Sequence, residues 1–285
     1  MKLVMTLLVR DSVELLRDNI EFHLQQGVDF FIITDNCSTD GTATIIDEYV
    51  RVGLAESIFE PEDTYSQARW VTRMARLAAF KHGADWVINN DDDEFWRGRE
   101  GTLREELERV IPELDAVTVQ RRNHPPLAVS GDRHFLQAMI YREQTSLNAL
   151  GKPLKAKVCH RGSAEIEVAQ GNHAVARAGA RLAVAPTDRI VISHFPLRSY
   201  PAFERRIAHG GRAYARNTEL GPGVGATWRW LYKLLQQGQL RRWYEQQLLA
   251  DDRVIERLAD GSLVIDDTVL RALASMTEGS CRPAA

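Results

Sequence analysis

The chain has 285 residues, of which 44% are hydrophobic and 26% are charged, and its net charge is −3 at pH 7. This length allows one large domain or two small ones, and the composition excludes a small disulfide scaffold and a wholly disordered chain. The low net charge provides no overall field that would recruit nucleic acid. Three widely spaced cysteines without a CxxC pair favour a reducing compartment. A cytoplasmic location, no structural zinc and no nucleic-acid partner are therefore expected.

The apolar N-terminus, residues 1–9, is interrupted by Arg10 and Asp11 and is not followed by a small-residue cleavage site. It is predicted to be a buried strand and not a signal sequence. No run of 18 apolar residues occurs in the chain. A membrane-spanning helix is therefore not expected.

The first hundred residues alternate short apolar runs with amphipathic stretches, which is the pattern of a parallel sheet covered by helices. Asp11 or Ser12 is predicted to cap the first helix. The predicted order is strand 3–9, helix 13–24, strand 30–33, helix 42–51, strand 55–59, helix 64–81 and strand 86–89. Ligands of such sheets bind beyond the carboxyl ends of the strands. Two of these strands end in polar clusters, which gives the predicted site its position.

The polar cluster after the second strand reads Asp35-Asn36-Cys37-Ser38-Thr39-Asp40-Gly41. Short polar side chains of this kind cap the next helix and leave others to bind a ribose, a base or a phosphate. An ordinary strand-to-helix turn explains the last residues of the cluster, but it does not require the first acid. Four binding residues are predicted here: Asp35, Asn36, Ser38 and Asp40.

The cluster after the fourth strand, Asp91-Asp92-Asp93-Glu94, is the strongest candidate site. Alternate side chains leaving a strand point the same way, so Asp91 and Asp93 are expected to converge while Asp92 turns aside. Two convergent carboxylates suit Mg²⁺ or Mn²⁺, which keeps positions for a substrate diphosphate. A solvated acidic turn is the alternative, but the position between a buried strand and an apolar Phe-Trp pair favours the cation site.

Two basic groups are further candidates for binding the substrate. Arg69 and Arg73 lie one helical turn apart, and they either reach a nucleotide or form a solvated helix face. Lys155 and Lys157, with Arg161 after them, are expected on one strand, where the two lysines share a face and either balance a leaving diphosphate or belong to a solvent-facing edge strand.

The second part of the chain is less regular, with strands predicted at 116–120, 135–141, 155–160 and 189–195. Helices are predicted at 201–217, 227–237, 240–249 and 268–276. This pattern indicates mixed or antiparallel additions to the sheet, followed by C-terminal helices.

Three further blocks follow the two polar clusters in sequence: KAKVCHRG, GNHAV and ISHFPLRSYPAFERRIAHGGRA. Together with VRDSVELLRDNIEFHLQQGVDFFIITDNCSTDGT and ADWVINNDDDEFW, they resemble the family 2 type of glycosyltransferase, in the branch whose acidic motif reads D-x-D-E-F. The resemblance covers residues 2 to about 215. It implies an α/β fold of the GT-A type, with a Rossmann-like, mostly parallel sheet. Residues 1–199 would form the catalytic domain, in halves of about 1–100 for the nucleotide and 101–199 for the acceptor, and 200–285 a helical extension.

The resemblance also implies a reaction, the metal-dependent and inverting transfer of a sugar from a nucleotide-sugar, most simply a UDP-sugar, to a hydroxyl acceptor. Asp35 would contact the uracil or ribose, and Asp91 would lie near the ribose and the Mn²⁺ or Mg²⁺ ion. Asp93 would be the main metal ligand, with His194 as a third ligand. Glu94 would lie beside the sugar.

The remaining roles are less determined. His173 and Arg198 belong to blocks that the resemblance covers, so they are candidate substrate-binding residues, and Asp92 is a further one. For the base that deprotonates the acceptor we favour Glu165, and the alternatives are Asp132, Glu143 and Glu167.

Residues 196–245 contain nine basic and three acidic residues, interleaved with tryptophan and leucine. One interpretation is peripheral contact with anionic lipid, where a lipid-linked acceptor would be found. The favoured alternative is a set of helices that pack their Trp and Leu faces inward and leave arginine outside.

Two other functions fit parts of the pattern. A sugar nucleotidyltransferase also uses carboxylate-held Mg²⁺, but it opens with a glycine-rich loop, and here the first strand ends Val9-Arg10-Asp11-Ser12. A non-catalytic nucleotide- or carbohydrate-binding module is the other alternative, which the intact acidic motif disfavours.

Overall fold

The computed structural model describes residues 1–128, 134–221 and 223–279. Within them the chain forms two compact units. The first consists of residues 1–121 and 155–192, and the second of residues 122–154 together with the chain from 193 onward. The predicted helical extension from residue 200 thus shares its unit with residues 122–154.

The elements follow the predicted alternation in the first hundred residues. The strands are β1 Leu3–Val9, β2 Phe30–Asp35, β3 Ala55–Phe59, β4 Trp86–Asn90, β5 Glu94–Gly98, β6 Ala116–Val119, β7 Arg121–Asn123, β8 Tyr141–Glu143, β9 Lys157–Arg161, β10 Ile166–Val168, β11 Val175–Arg177, β12 Val184–Pro186, β13 Ile190–His194 and β14 Leu263–Ile265. The helices are α1 Leu16–Gln25, α2 Thr42–Arg51, α3 Gln67–Phe80, α4 Leu103–Glu108, α5 Phe135–Ala138, α6 Tyr200–Arg216, α7 Ala226–Gln236, α8 Leu240–Glu245, α9 Asp251–Ala259 and α10 Thr268–Gly279. A 3-10 turn, Gln170–Asn172, precedes β11.

The first unit is built on a sheet with the strand order β12-β6-β9-β4-β1-β2-β3. The pairs β1–β2, β2–β3, β1–β4 and β12–β6 are parallel. Strand β9 runs antiparallel to both of its neighbours, β4 and β6. The predicted α/β fold, with a mostly parallel sheet and mixed additions, is confirmed.

Helices cover both faces of this sheet, as the unbroken apolar runs of its strands require. In β1, Leu3, Met5 and Leu7 are fully buried in one apolar cluster, while Val4 is buried in the other. Side chains alternate along a strand, so a continuous apolar sequence serves both faces. The central strand is thereby held between two cores, and its carboxyl end is fixed in place.

One strand prediction is wrong. Residues 135–141 contain the short helix α5, and β8 begins only at Tyr141. Phe135, Leu136 and Met139 are all buried. Their spacing of one and then three residues matches one face of a helix turn and not the alternation of a strand.

In the second unit, α6, α7 and α8 pack around a shared apolar cluster. Its buried members are Phe203, Ile207, Leu231, Leu240 and Tyr244, and the tryptophans of α7 and α8 pack against them. This packing is the favoured alternative for residues 196–245, and it accounts for their aromatic side chains. In the ranges that the structure describes, no helix combines the length and the apolar character needed to cross a membrane.

Two adjacent glycines allow α6 and α7 to approach closely. A Cβ atom on Gly210 would lie 2.5 Å from the ring of Trp228, and one on Gly211 would lie 2.3 Å from Tyr232. Both separations are far below van der Waals contact, so any larger residue would push the helices apart.

Candidate functional site

The two polar clusters lie at the same edge of the sheet, as predicted. In the strand register, Val9 at the end of β1 is opposite Asp35 of β2, and Leu7 is opposite Asn90 of β4. Asp35 and Asp91 are therefore separated by the width of one intervening strand. Two strand spacings correspond to roughly 10 Å, a span that a nucleoside and its phosphates can bridge.

The loop after β2 is held in shape by its own side chains. Asp35 is 6% exposed, and its Oδ1 accepts a hydrogen bond from the backbone N–H of Ser38 at 3.0 Å. The side-chain amide of Asn36 donates to the backbone oxygens of Glu60 and Glu62, at 2.9 and 2.7 Å. Asn36 therefore ties this loop to the segment after β3, while the other carboxylate oxygen of Asp35 has no hydrogen bond from the described residues.

Asp40 holds the turn that leads into α2, as the ordinary turn interpretation expects, although the N-cap residue itself is Gly41. Its Oδ1 accepts from the hydroxyl and the N–H of Thr42, at 2.6 and 3.1 Å, and its Oδ2 accepts from the N–H of Val13 at 3.1 Å. Burial opposes ionisation of this carboxyl, but the hydrogen bonds outweigh that effect and lower its pKa. Gly41, at φ +97°, supplies the left-handed turn into α2.

The loop between β1 and α1 connects the two clusters. Asp11 Oδ1 accepts from the N–H of Thr39 at 2.7 Å, and the hydroxyl of Ser12 donates to Asp92 Oδ2. The prediction that Asp11 or Ser12 caps the first helix is wrong, because α1 begins at Leu16 and these side chains bind neighbouring loops instead. The sequence offered one signal that Asp11 and Ser12 connect the two clusters. Both are polar and come directly after the buried strand β1, at the edge of the sheet where the clusters lie.

The side chain of Asp91 is engaged at both oxygens. Its Oδ2 accepts a hydrogen bond from the ammonium of Lys157, and its Oδ1 accepts from the amides of Asn172 and Gln67, at 3.2 and 3.4 Å. Lys157 is 1% exposed in the interior strand β9. Lys155 and Lys157 were predicted to lie on the same face of one strand. Lys155 instead precedes β9 and is exposed, so only Lys157 reaches the site.

Glu94 is also paired with cations. Its Oε1 lies 3.2 Å from Lys157 Nζ and 3.0 Å from Arg121 Nη1, and its side chain is fully buried. Asp93, next to it, is 3% exposed. A buried carboxylate needs paired charge to remain ionised. Within the first unit, the acidic turn is therefore balanced by two basic side chains, and it is not the solvated turn that was the alternative.

A buried network of side-chain hydrogen bonds fixes the acidic turn. The amide of Asn19 donates to the backbone oxygen of Asp92 at 2.9 Å, and the indole N–H of Trp96 donates to Asn90 Oδ1 at 2.9 Å. His23 Nε2 accepts from the backbone N–H of Trp96 at 2.9 Å. Burial lowers the pKa of His23 to about 3, so the ring stays neutral and can accept this bond.

Asn172 approaches the site from the GNHAV block. It adopts φ +58°, a left-handed conformation that is uncommon outside glycine, and its side chain is 1% exposed. His173 Nδ1 lies 2.8 Å from the oxygen of Ala156, and burial and the nearby Lys157 lower the pKa of its ring to about 4. The block was recognised in the sequence, but Asn172, the residue that contacts Asp91, was not selected there.

The arginines of α3 are paired with acids along an exposed helix face. Arg69 contacts Glu62, and Arg73 lies 3.1 Å from Glu60. Both arginines line a shallow depression on the surface between α3 and β10. The placement of Arg69 and Arg73 agrees with the solvated-face alternative.

Arg161 and Glu165 lie at the opposite edge of the sheet. Strand β9 is antiparallel to β4, so Arg161 is opposite Trp86 at the start of β4, with its guanidinium 4.8 Å from the indole ring. Glu165 follows in an exposed loop, directly before Ile166, whose oxygen accepts from Arg76 near the end of α3. The structure does not bring either residue to Asp91, because the reversed direction of β9 carries them away from it.

The other residues considered for the base are engaged elsewhere. Glu143 pairs with Arg257 at 3.1 Å, and Glu167 lies 3.6 Å from Arg76. Asp132 lies outside the residues that the structure describes. The described residues therefore give no candidate base a contact with the acidic turn.

His194 and Arg198 belong to the second unit. His194 ends β13, and its Nδ1 lies 2.7 Å from Asn123 Oδ1. Arg198 donates to the backbone oxygen of Phe195 at 3.1 Å. Their predicted roles as metal ligand and substrate-binding residue stay predictions.

The donor set at the acidic turn fits a hard divalent cation. Asp93 and Glu94 bring carboxylate oxygens within 4.8 Å of each other. Beside Asp91, Asn172 has an amide oxygen, Oδ1, that is buried and has no hydrogen-bond partner among the described residues. Oxygen ligands of these types are those that Mg²⁺ and Mn²⁺ take in proteins. An unsatisfied buried oxygen next to a carboxylate is the feature that a bound cation would explain.

Comparison with known proteins supports an enzyme assignment. The model of glycosyltransferase family 92 matches residues 4–125, less than half of the chain, and this range contains both polar clusters. This match confirms the class of enzyme expected from the sequence, a glycosyltransferase. The matching model is that of family 92, whereas the sequence motifs resembled family 2. No curated protein matches the sequence.

Among solved structures, the chain is similar to S. aureus TarS 1–349 in complex with UDP. The identity is 13% and the TM-score 0.44, over 98% of this chain and 92% of that one. It is also similar to S. aureus TarS 1–349 in complex with UDP-GlcNAc, with 10% identity, a TM-score of 0.45 and coverages of 92% and 93%. A third similarity is to HddC from Yersinia pseudotuberculosis, with 12% identity, a TM-score of 0.39 and coverages of 72% and 100%. Similarities at this level carry no argument about the site.

Proposed function

We propose that this chain, a glycosyltransferase by its family match, transfers a sugar from a nucleotide-sugar to a hydroxyl group of a glycan, a lipid-linked glycan or a small molecule. A UDP-sugar is the proposed donor, as the resemblance of the sequence motifs implies. The observation that carries the proposal is the partly buried acidic turn at the carboxyl edge of the sheet, in which the carboxylates of Asp91 and Glu94 are bound by the side-chain nitrogen of Lys157.

The Asp35 loop supports binding of the nucleoside. Asp35 is held by Ser38 at one oxygen, which leaves the other for a ribose hydroxyl or a base N–H. A carboxylate oriented in this way forms charge-assisted hydrogen bonds, about twice as strong as neutral ones. The loop is anchored by Asn36 and by Asp40, so the carboxylate is presented with little loss of conformational freedom on binding.

The acidic turn supports binding of the diphosphate and of a divalent cation. We propose Asp91 and Asp93 as ligands of Mn²⁺ or Mg²⁺. The ion, when bound, would stabilise the negative charge that develops on the leaving nucleoside diphosphate. Lys157 brings its amino group to the same place, in a buried setting where charge stabilisation is stronger than in water.

Inversion at the anomeric carbon in a single displacement is part of the proposal and rests on the sequence resemblance alone. The base is left unassigned, since Glu165 lies at the far edge of the sheet.

A cytoplasmic location is proposed on the composition and cysteine spacing. Peripheral contact of residues 196–245 with a membrane surface is proposed on their excess of basic residues.

The first experiment is calorimetric titration of the purified chain with UDP, GDP, CMP and dTDP, each with and without Mn²⁺. Tight binding of UDP that weakens strongly without Mn²⁺ is the expected result. Binding of none of the four by the folded protein would contradict a nucleotide-sugar donor and favour a carbohydrate-binding module. In a fifth titration, tighter binding of UTP than of UDP would favour a nucleotidyltransferase.

Asp93→Ala tests the role of the acidic turn in catalysis. Loss of metal-dependent transfer by at least about 100-fold is expected, because removal of one group that stabilises transition-state charge has an effect of this size. Glu100→Gln, an exposed acid beyond β5, is the matched control and should leave turnover unchanged. Unchanged transfer in Asp93→Ala, with unchanged far-UV circular dichroism, would contradict the proposed metal site.

A further inference from the structure

A basic side chain of the protein itself, Lys157, occupies the position next to Asp91 where a divalent cation is proposed to bind. Lys157 Nζ contacts Asp91 Oδ2 and lies 3.2 Å from Glu94 Oε1. Both residues that it joins belong to the acidic turn, and the lysine side chain is 1% exposed. An ammonium in this position neutralises Asp91, a carboxylate that is proposed to bind the divalent cation.

A second observation points to a ligand in the same place. Asn172 Nδ2 donates to Asp91 Oδ1 at 3.2 Å, but Asn172 Oδ1 is buried and has no hydrogen-bond partner among the described residues. A buried polar atom without a partner costs about 1–3 kcal/mol. The side chain is held there at φ +58°, by a backbone that costs free energy outside glycine. A lysine satisfies the carboxylate but leaves this amide oxygen unused.

We propose that Lys157 is the resident counter-ion of Asp91 and competes with a divalent cation for it, and that Asn172 supplies an additional oxygen ligand to that cation. This inference rests on the proposed function, since it concerns the metal at the same site. According to this inference, Lys157 of β9 determines how weakly the nucleotide-free protein binds metal. It follows that the free protein binds metal weakly and that the diphosphate of the donor, as a further anionic partner, strengthens metal binding.

The charges around Asp91 set the direction of each effect. With Lys157 in place, a cation that binds Asp91 must either displace the ammonium or lie close to a like charge. Removal of the ammonium frees Asp91 Oδ2 and removes the repulsion. Removal of Asn172 takes away one neutral oxygen ligand and changes no charge, so its effect is smaller and of opposite sign.

The test measures Mn²⁺ binding to the full chain in the absence of nucleotide, by calorimetry and by electron paramagnetic resonance. Lys157→Met is expected to lower the Kd for Mn²⁺ by about tenfold or more, equivalent to about 1.4 kcal/mol. Lys81→Met removes a surface lysine paired with Glu56 at 2.8 Å and is the control, with no change expected. An unchanged or raised Kd in folded Lys157→Met would overturn the competition.

Lys157→Met alone removes a positive charge from the acidic turn and leaves its carboxylates uncompensated. A second variant therefore keeps the net charge of the turn and its partners constant. Lys157→Met with Glu94→Gln removes one positive and one negative charge and takes the ammonium away from Asp91 Oδ2, and it is expected to show the same gain in Mn²⁺ affinity. Asn172→Gly relieves the backbone at φ +58° while removing the amide, and it is expected to raise the Kd for Mn²⁺ about threefold or more, which is about 0.65 kcal/mol. An unchanged Kd in Asn172→Gly would overturn the role of the amide oxygen.

The titration of UDP with the wild-type chain separates this inference from the proposed function. UDP binding together with no effect of Lys157→Met on Mn²⁺ would reject the inference and leave the function standing. Absence of nucleotide binding would reject the function, whatever the Mn²⁺ data show.

Discussion

Lys157 Nζ lies 3.2 Å from Glu94 Oε1, and the two side chains are 1% and 0% exposed. Arg121 binds the same carboxylate oxygen at 3.0 Å. Two basic side chains on one buried carboxylate make Glu94 the electrostatic centre of the acidic turn in the first unit. Because water is excluded, the interaction depends on every partner being present.

Glu94→Gln is expected to lower the free energy of unfolding by about 3–5 kcal/mol, since removing one partner of a buried ion pair leaves uncompensated charge. Urea denaturation followed by circular dichroism measures this. Glu62→Gln breaks the exposed pair with Arg69 and should cost less than about 1 kcal/mol. Equal effects in the two variants would show that the burial of Glu94 does not determine its contribution.

Gly171→Ala is expected to destabilise the chain more than Gly53→Ala. Both glycines have positive φ, +79° and +75°, so both variants bear the cost of a left-handed alanine, about 1–2 kcal/mol. Only at Gly171 would the new Cβ meet another group, the ring of His173 at 2.7 Å, whereas nothing lies within 4 Å at Gly53.

Thermal and urea unfolding of both glycine variants give the comparison. Because Gly171 precedes Asn172, its variant should also weaken UDP binding, and Gly53→Ala should not. The interpretation fails if the two variants are equally stable and bind UDP equally well.

Acid should destabilise the fold through its buried histidines. The pKa of His23 is lowered from 6.5 to about 3 and that of His160 to about 4, in each case by burial. Below pH 6.5 the unfolded chain binds protons that the folded chain does not, so stability falls as pH falls from 6.5 toward these values. Each histidine contributes a slope of up to about 1.4 kcal/mol per pH unit.

The slope is measured by urea denaturation between pH 5 and pH 7.5, where most carboxyl groups stay ionised. His23→Gln should remove one histidine's share of the slope, whatever its effect on stability at pH 7.5. A slope equal to that of the wild type would mean that His23 binds protons to the same extent in the folded and the unfolded chain, and would contradict its lowered pKa.

Glu165→Gln is expected to leave the transfer rate within about twofold of the wild type, since Glu165 is exposed and follows the end of β9 that pairs with the start of β4. Steady-state kinetics with a donor identified by calorimetry measure this. Loss of turnover by 100-fold or more, with donor affinity retained, would restore Glu165 as the base.

Much of the fold of the first hundred residues could be predicted from local pattern. Continuous apolar runs marked the strands, and the polar residues after β2 and β4 marked one edge of the sheet, because parallel strands place their carboxyl ends together. Strand boundaries held to within two residues for these elements. The sequence motifs also indicated a glycosyltransferase, which the family match bears out.

The tertiary structure decided which side chains meet. Asp91 and Lys157 are 66 residues apart, and their contact exists because β9 inserts between β4 and β6 in reverse direction. The same reversal carries Arg161 and Glu165 to the far edge. Local sequence determines that a segment is a strand, but its neighbours and its direction follow from how the whole sheet buries its two faces, and no short segment contains that information.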